Sequence, residues 1–253
     1  MNRTKAGIPL SSIVALGFSV VLLIAAATMA WWVHSMQENA TFNPSPLSAS
    51  TEQGSTSNEA DPFPAVDWNY WKSINPDVVG WITVEGTPIN YPILQAHASD
   101  SDFYLHHDVY GNWSVYGIPY LDAENETSGL FGSKNAVVFG HHMNDGTMFA
   151  AFADYSDKSY ANDHCTVLVQ TPTEKKKYKV RYVNIINGNK ALKRTFFLDD
   201  DDYTNWYKDQ LSDAVVVLDD KTTPESTITF CTCSYNYFGN ERTLVLASEE
   251  SSN

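Results

Sequence analysis

The sequence predicts a mainly-β domain, a barrel or a sandwich, behind an apolar N-terminal segment. Three observations lead there. Short β-branched and aromatic runs recur between turn residues. Few segments carry helical spacing. The composition changes sharply twice, near residues 34 and 64, so only the remainder has the makings of a core.

The 253-residue chain opens with Arg3 and Lys5, and residues 6–33 then carry no charge (AGIPLSSIVALGFSVVLLIAAATMAWWV). That length spans a hydrocarbon core of about 30 Å as a helix. The preceding positive charges put residues 1–5 in the cytoplasm and the rest outside, with Trp31 and Trp32 at the outer interface. A cleaved signal peptide is the rival, since AATMA offers small residues for cleavage. The apolar run exceeds a usual signal core and continues into the Trp pair, which favours an uncleaved signal-anchor. Residues 34–64, rich in Asn, Ser, Thr, Pro and Glu, read as a flexible stalk. Residues 65–253 form the expected domain, of which about Val66 to Ala247, roughly 180 residues, can bury a good core.

Along that domain, Trp68, Trp71 and Ile74 lie at helical spacing before Pro76, which should stop a helix. Val78 to Val84 and Ile89 to Leu94 read as strands around a Gly86-Thr87-Pro88 turn. AVVFG, Ala136 to Gly140, is a short buried strand. Cys165 to Gln170 and Lys175 to Ile186 pair as a hairpin around Thr171-Pro172. In LDDDDYTNWYKDQLSD the acids precede Tyr203, Trp206, Tyr207 and Leu211, the pattern of a capped amphipathic helix at about Asp200 to Leu211. Thr227 to Cys233 and Thr243 to Ala247 complete the strands.

A formal charge of −14 excludes nucleic acid as a partner, because phosphate binding needs a basic face. Three cysteines do not make a disulfide framework.

Cysteine chemistry needs a thiolate, a proton carrier and a group that stabilises developing charge. Gly140-His141-His142 places a histidine at a strand end, and TITFCTC ends on Cys233. Arg242 opens the next strand, so a hairpin would fold its guanidinium towards the sulfur. Histidine serves as acid and base near neutral pH, and the planar guanidinium suits an acyl oxygen or a peptide backbone. The competing roles are a surface histidine, a buried apolar cysteine and a solvated arginine. A zinc site from Cys165, His164, Cys231 and Cys233 is disfavoured. Cysteines two apart in a strand share one face at about 6–7 Å, too far for an unstrained disulfide and unlike the turn spacing of structural zinc. No metal or cofactor is expected.

These residues resemble the sortase family, and class B sortases in particular. TFCTC, Thr229 to Cys233, is similar to the family's TLxTC motif and makes Cys233, rather than Cys231, the nucleophile. GHHMNDGTMF is similar to the class B histidine motif and selects His141 over His142; Arg242 matches the arginine of the following strand. INPDVVGWITVEGTPINYPILQ and DSDFYLHHDVYG look like the opening segments of class B domains. The chain departs from the pattern at Phe230, where Leu is usual, and at Cys231, where Ser is frequent. Its Cys233 to Arg242 spacing is about one residue longer than in many members.

The resemblance implies a closed eight-stranded β-barrel with N-terminal helices and a further helix in the long connection before the cysteine strand, walling a substrate groove. Leu105, Thr232 and Cys231 are implied as substrate-binding positions. It also implies a transpeptidase at a Gram-positive plasma membrane, single-pass, with its catalytic domain extracellular. Cys233 would attack a C-terminal sorting signal of a secreted protein, forming a thioacyl enzyme. An amine of the peptidoglycan cross-bridge would resolve it, or alternatively a pilin lysine. Other cell-wall cysteine enzymes fit less well. An L,D-transpeptidase would place its arginine close after the cysteine, and a papain-like peptidase would place its cysteine before the histidine on a helix. A non-catalytic domain that kept the barrel is the remaining alternative.

Overall fold

A computed structural model describes residues 23–30, 61–189, 193–234 and 239–250. Residues 23–30 are helical and exposed, in a first unit of residues 1–42; residues 43–253 form the second. Among the described residues no helix is long and apolar enough to cross a membrane. The span expected at 6–33 and the stalk expected at 34–64 lie largely outside the described residues. At the stalk's end, the Pro64 carbonyl accepts a hydrogen bond from Gln170 Nε2 at 2.8 Å, so the chain is already engaged with the domain there.

Among the described residues nine strands make one sheet: β1 (Val78–Val84), β2 (Asn90–Gln95), β3 (Tyr120–Leu121), β4 (Asn135–Phe139), β5 (Thr166–Gln170), β6 (Lys175–Asn187), β7 (Val216–Val217), β8 (Thr227–Ser234) and β9 (Glu241–Glu249). Their order is β5-β1-β2-β3-β4-β8-β9-β6-β7, and β5 also pairs with β6. That second pairing closes eight strands into a barrel and removes their free edges. The two-residue β7 pairs with Tyr182 and Val183 of β6, beyond the stretch that β5 occupies. Most pairs are antiparallel, but β2 with β3 and β4 with β8 run parallel.

The inward faces of these strands supply the core. Ile82, Ile93, Val138, Val183, Phe230 and Val245 are buried there with Phe149 and Phe152. Phe230 stacks on Phe152 at 5.2 Å and meets Phe149 edge-on at 6.2 Å, so the larger ring in place of leucine fills a well-packed position.

Helix α1 (Trp68–Ile74) is capped by Asp67, whose side chain accepts from the Tyr70 amide. It is the one helix among residues 61–77 and the one the spacing predicts there; the resemblance implied N-terminal helices without placing them. Two short helices, α2 (Ala150–Ala153) and α3 (Lys158–Asp163), join β4 to β5. The acidic segment forms α4 (Asp200–Ser212) in the connection before β8, as its pattern predicts. Asp199 caps it, accepting from the Asp202 amide, and three aspartates in the first turn face the positive end of the helix dipole. Tyr203 and Tyr207 are buried, and Tyr207 packs edge-on to Tyr182 of β6 at 5.3 Å. Asn184 Nδ2 donates to the Gln210 carbonyl at 2.9 Å, tying the helix to the barrel's outer face.

Candidate active site

In the β8–β9 register Cys233 stands directly opposite Arg242, Thr232 opposite Thr243 and Cys231 opposite Leu244. Side chains alternate along a strand. Thr229, Cys231 and Cys233 therefore share the outward face with Leu246, Leu244 and Arg242. Phe230, Thr232 and Ser234 turn to the inner face. A buried hydroxyl chain stiffens that side at the level of the cysteine. Thr243 Oγ1 donates to Ser234 Oγ at 2.9 Å, and Ser234 Oγ donates to Glu241 Oε1 at 2.6 Å.

Arg242 is held from the neighbouring strand. It pairs with Ile186 of β6, and its Nη1 donates to the Glu241 carbonyl at 3.0 Å. Gly188 follows β6, and a Cβ there would come within 3.1 Å of Arg242 Cζ and of the Asn240 carbonyl oxygen. The glycine leaves the space the guanidinium occupies. Its role was not visible in the sequence.

The histidines arrive on β4, which runs parallel to β8 with Phe139 opposite Cys231. The Gly140 amide donates to the Cys231 carbonyl at 3.1 Å, so the pairing carries on past the strand and brings His141 and His142 to the cysteine end. Gly140 is required by close approach, since a Cβ would lie 2.5 Å from the Phe149 ring. The loop then folds back. Phe149 N donates to the His141 carbonyl at 2.8 Å, and the amide of the left-handed Met148 (φ 56°) donates to the Tyr91 hydroxyl at 3.1 Å.

The two imidazoles do different things. His142 Nδ1 donates to the Cys233 carbonyl at 3.0 Å and so pins the two strand ends together. His141 Nε2 lies 2.7 Å from the Leu105 carbonyl. A carbonyl only accepts, so Nε2 carries the proton and Nδ1 keeps its lone pair in the neutral ring. Burial holds the His141 pKa below the ordinary histidine value; the Leu105 carbonyl opposes this, while the charges of His106 and Arg242 reinforce it.

A groove of ≈ 260 Å³ runs along this outward face. Its floor is β4, β8, β9 and β6, including Val137, Phe139, Cys231, Leu244 and Arg242, and α4 supplies a wall through Trp206 and Gln210. Cys231 is nearly buried, and desolvation pushes its thiol up to about 12, with Arg242 pulling the other way. Such a thiol is neutral near pH 7.

The structure thus brings together Cys233, Arg242 and the His141 segment, with Cys231 lining the groove. Leu105 joins the site through its backbone carbonyl. Thr232 does not join by its side chain. It is 1 % exposed, faces inward beside Thr243, and its hydroxyl has no hydrogen-bond partner among the described residues. The reason is strand alternation: if Cys231 and Cys233 face the groove, the residue between them cannot. The helical wall agrees with what the resemblance implied; Trp206 and Gln210 were not singled out as its groove-facing residues, although their four-residue spacing on a predicted helix was the signal that could have done so.

The Sortase domain family model matches residues 82–250, most of the barrel and all of the site strands. The chain belongs to the sortase family. Its relatives are sortases of class B. A Clostridium perfringens sortase B structure superposes with a TM-score of 0.66 at 31% identity, covering 72% of this chain and 99% of that one. Staphylococcus aureus sortase B is 29% identical over 183 residues, 70% of this chain and 72% of the relative. Solved sortase B structures similar to this chain include an S. aureus substrate complex (TM-score 0.63, 26% identity) and a triglycine complex (TM-score 0.64, 28% identity). Each covers 74% of this chain and 85% or 86% of the solved one. Listeria monocytogenes sortase B is 40% identical over 95 residues, a stretch that covers 38% of this sortase and 37% of the relative.

Proposed function

We propose that this class B sortase is a cysteine transpeptidase that joins secreted proteins to an amine of the cell wall. The observation that carries the reading is the cross-strand pair of Cys233 and Arg242, with His141 at the end of the adjoining parallel strand and a groove along the same face.

In this reading His141 Nδ1 takes the Cys233 proton as the sulfur attacks the scissile carbonyl, a Thr–Gly bond or its equivalent. The tetrahedral oxygen carries the negative charge, and the guanidinium of Arg242 stabilises it or holds the peptide beside it. His141 then passes the proton to the leaving amine. The C–N bond breaks and a thioester to Cys233 remains. An incoming amine attacks that thioester, loses a proton to His141, forms a new amide and releases the thiolate for reprotonation. The Nε2–H bond to Leu105 persists throughout and keeps Nδ1 towards the chemistry.

The substrate is a peptide segment carrying a C-terminal sorting signal, bound along the groove with Cys231 among its contacts. The acceptor is an amine of the peptidoglycan cross-bridge. The substrate and triglycine complexes of sortase B relatives support a peptide donor and a glycine-like acceptor. The uncharged segment 6–33 supports a signal-anchor that holds the domain outside the plasma membrane. Incubating the protein with sorting-signal peptides and triglycine tests the reading: a transpeptidation product supports it, and hydrolysis or no reaction with every peptide counts against it.

A further inference from the structure

We infer that Asp77 and Tyr104 are positioning residues that fix the tautomer of His141 through the Leu105 carbonyl. The inference rests on the reading of His141 as the proton carrier.

The carbonyl that accepts from His141 Nε2 belongs to Leu105, the last residue of a single 3-10 turn, Phe103–Leu105. One such turn has poor hydrogen-bond geometry and little stability of its own. Something else must hold it against His141, which lies on β4's far end, 36 residues further along the chain.

Tyr104 does so from the middle of the turn. Its ring is 3 % exposed, and its hydroxyl donates to Asp77 Oδ2 at 2.6 Å, a charge-assisted bond. Asn75 Nδ2 donates to the same hydroxyl at 3.2 Å, and the Tyr104 carbonyl accepts from the Ile118 amide at 3.0 Å. Burial, aided by Asp77, pushes the phenol well above its ordinary pKa, so it remains a donor at any working pH.

Asp77 is itself fixed to the barrel. Its amide donates to Asn75 Oδ1 at 2.9 Å, and its carbonyl accepts from the Gln95 amide at the end of β2 at 2.8 Å. Its second carboxylate oxygen, Oδ1, lies 3.0 Å from His97 Nε2. The carboxylate therefore links the rigid barrel edge on one side and the turn on the other. The chain of contacts runs from β2 through Asp77, Tyr104 and the Leu105 carbonyl to the His141 ring.

Without the Leu105 carbonyl in place, the neutral His141 ring exchanges its proton between Nδ1 and Nε2. The fraction with its lone pair on Nδ1 then falls. Tyr104 and Asp77 touch neither the groove nor the reacting atoms, so their loss should lower the chemical step and leave substrate binding alone.

The test uses the full chain labelled with ¹⁵N-histidine, in the parent, Tyr104→Phe, Asp77→Ala and Asp77→Asn. In the parent, His141 should show one protonated nitrogen, Nε2, and one lone-pair nitrogen, Nδ1. Tyr104→Phe and Asp77→Ala should show averaged shifts of the two tautomers. Their kcat for transpeptidation should fall about tenfold, a fraction of what proton transfer contributes, with KM within about twofold. Asp77→Asn, which keeps an acceptor for the phenol, should stay close to the parent on both measures. A single Nε2–H tautomer retained in Tyr104→Phe and Asp77→Ala overturns the inference. Asp77→Ala spares the buried ring and decides the point if Tyr104→Phe does not fold. The NMR reading needs no substrate, so a locked tautomer in an inactive parent would count against the proposed function and leave the positioning role standing.

Discussion

Cys233 and Arg242 are directly opposed on neighbouring antiparallel strands, with their side chains on the same outward face of the barrel. Opposed residues on such strands keep their Cβ atoms about 5 Å apart, so the two side chains leave the sheet from adjacent points on one face. Replacing Arg242 with Lys keeps the charge but removes the planar fork. Loss of one preorganised donor for a developing oxyanion costs about 10²–10³ in rate. Arg242→Lys should show a loss of that order in kcat, with an unchanged melting temperature. Near-parental turnover would remove Arg242 from the chemistry.

Cys231 shares the face but not the reactivity. Its thiol, at about 12 against an ordinary 9.0, forms about 10³-fold less thiolate than a free cysteine at pH 8. Alkylation by iodoacetamide followed by peptide mapping should modify Cys233 and spare Cys231. Cys231→Ser should keep substantial activity under reducing conditions, since serine is also neutral and small. A loss comparable to Cys233→Ala would give the second sulfur a chemical part.

Gly188, in the turn that follows β6, makes room for Arg242. A methyl at Gly188 would press on the guanidinium carbon and on the Asn240 carbonyl, both at 3.1 Å, and on Asn240 Oδ1 at 2.9 Å. Gly188→Ala should lower kcat about tenfold or more, because small misplacements of a catalytic group are costly. The cost in stability should be about 1–3 kcal/mol, the range for overpacking. Urea unfolding beside steady-state kinetics separates the two, and unaltered kinetics would show that Arg242 tolerates the shift.

His97 sits between two carboxylates, with Nδ1 2.7 Å from Glu126 Oε1 and Nε2 3.0 Å from Asp77 Oδ1. The Glu126 bond first, then that to Asp77, raises its pKa above the ordinary value. A raised folded pKa gives stability that is fully present below about pH 6.5, the unfolded value, and lost as pH rises through the folded pKa. The ring is partly exposed, so salt weakens the effect. Thermal melts of the parent and His97→Gln should differ most near pH 6 and converge in alkaline solution. A difference that grows as pH rises would contradict the clasp.

Local features carried most of what was legible beforehand. The strands from Val78, Ala136, Lys175 and Thr227 announced themselves by apolar β-branched runs between turn residues. Helix α4 announced itself by its acidic cap and aromatic spacing. The two-residue strands β3 and β7 did not, because so short a segment has no period and exists only through its neighbours. The parallel pairing of β4 with β8 was likewise hidden, although it is what brings His141 to Cys233. Which strand pairs with which is decided by tertiary packing; the motif resemblance named His141, Cys233 and Arg242 without the pairing that joins them. Thr232 shows the opposite case: period-2 alternation already placed it on the face away from the two cysteines, and the groove expectation overrode that physical signal. Leu105 reached the site by its carbonyl, a contribution that no side-chain pattern encodes.

Cys233 should form a thioester with a sorting-signal peptide. Intact-protein mass spectrometry after mixing the protein with such peptides, before any amine is added, tests it most directly. The parent should gain a mass equal to the acyl fragment and lose it on adding triglycine or hydroxylamine, and Cys233→Ala should gain none. An equal adduct in Cys233→Ala would contradict it.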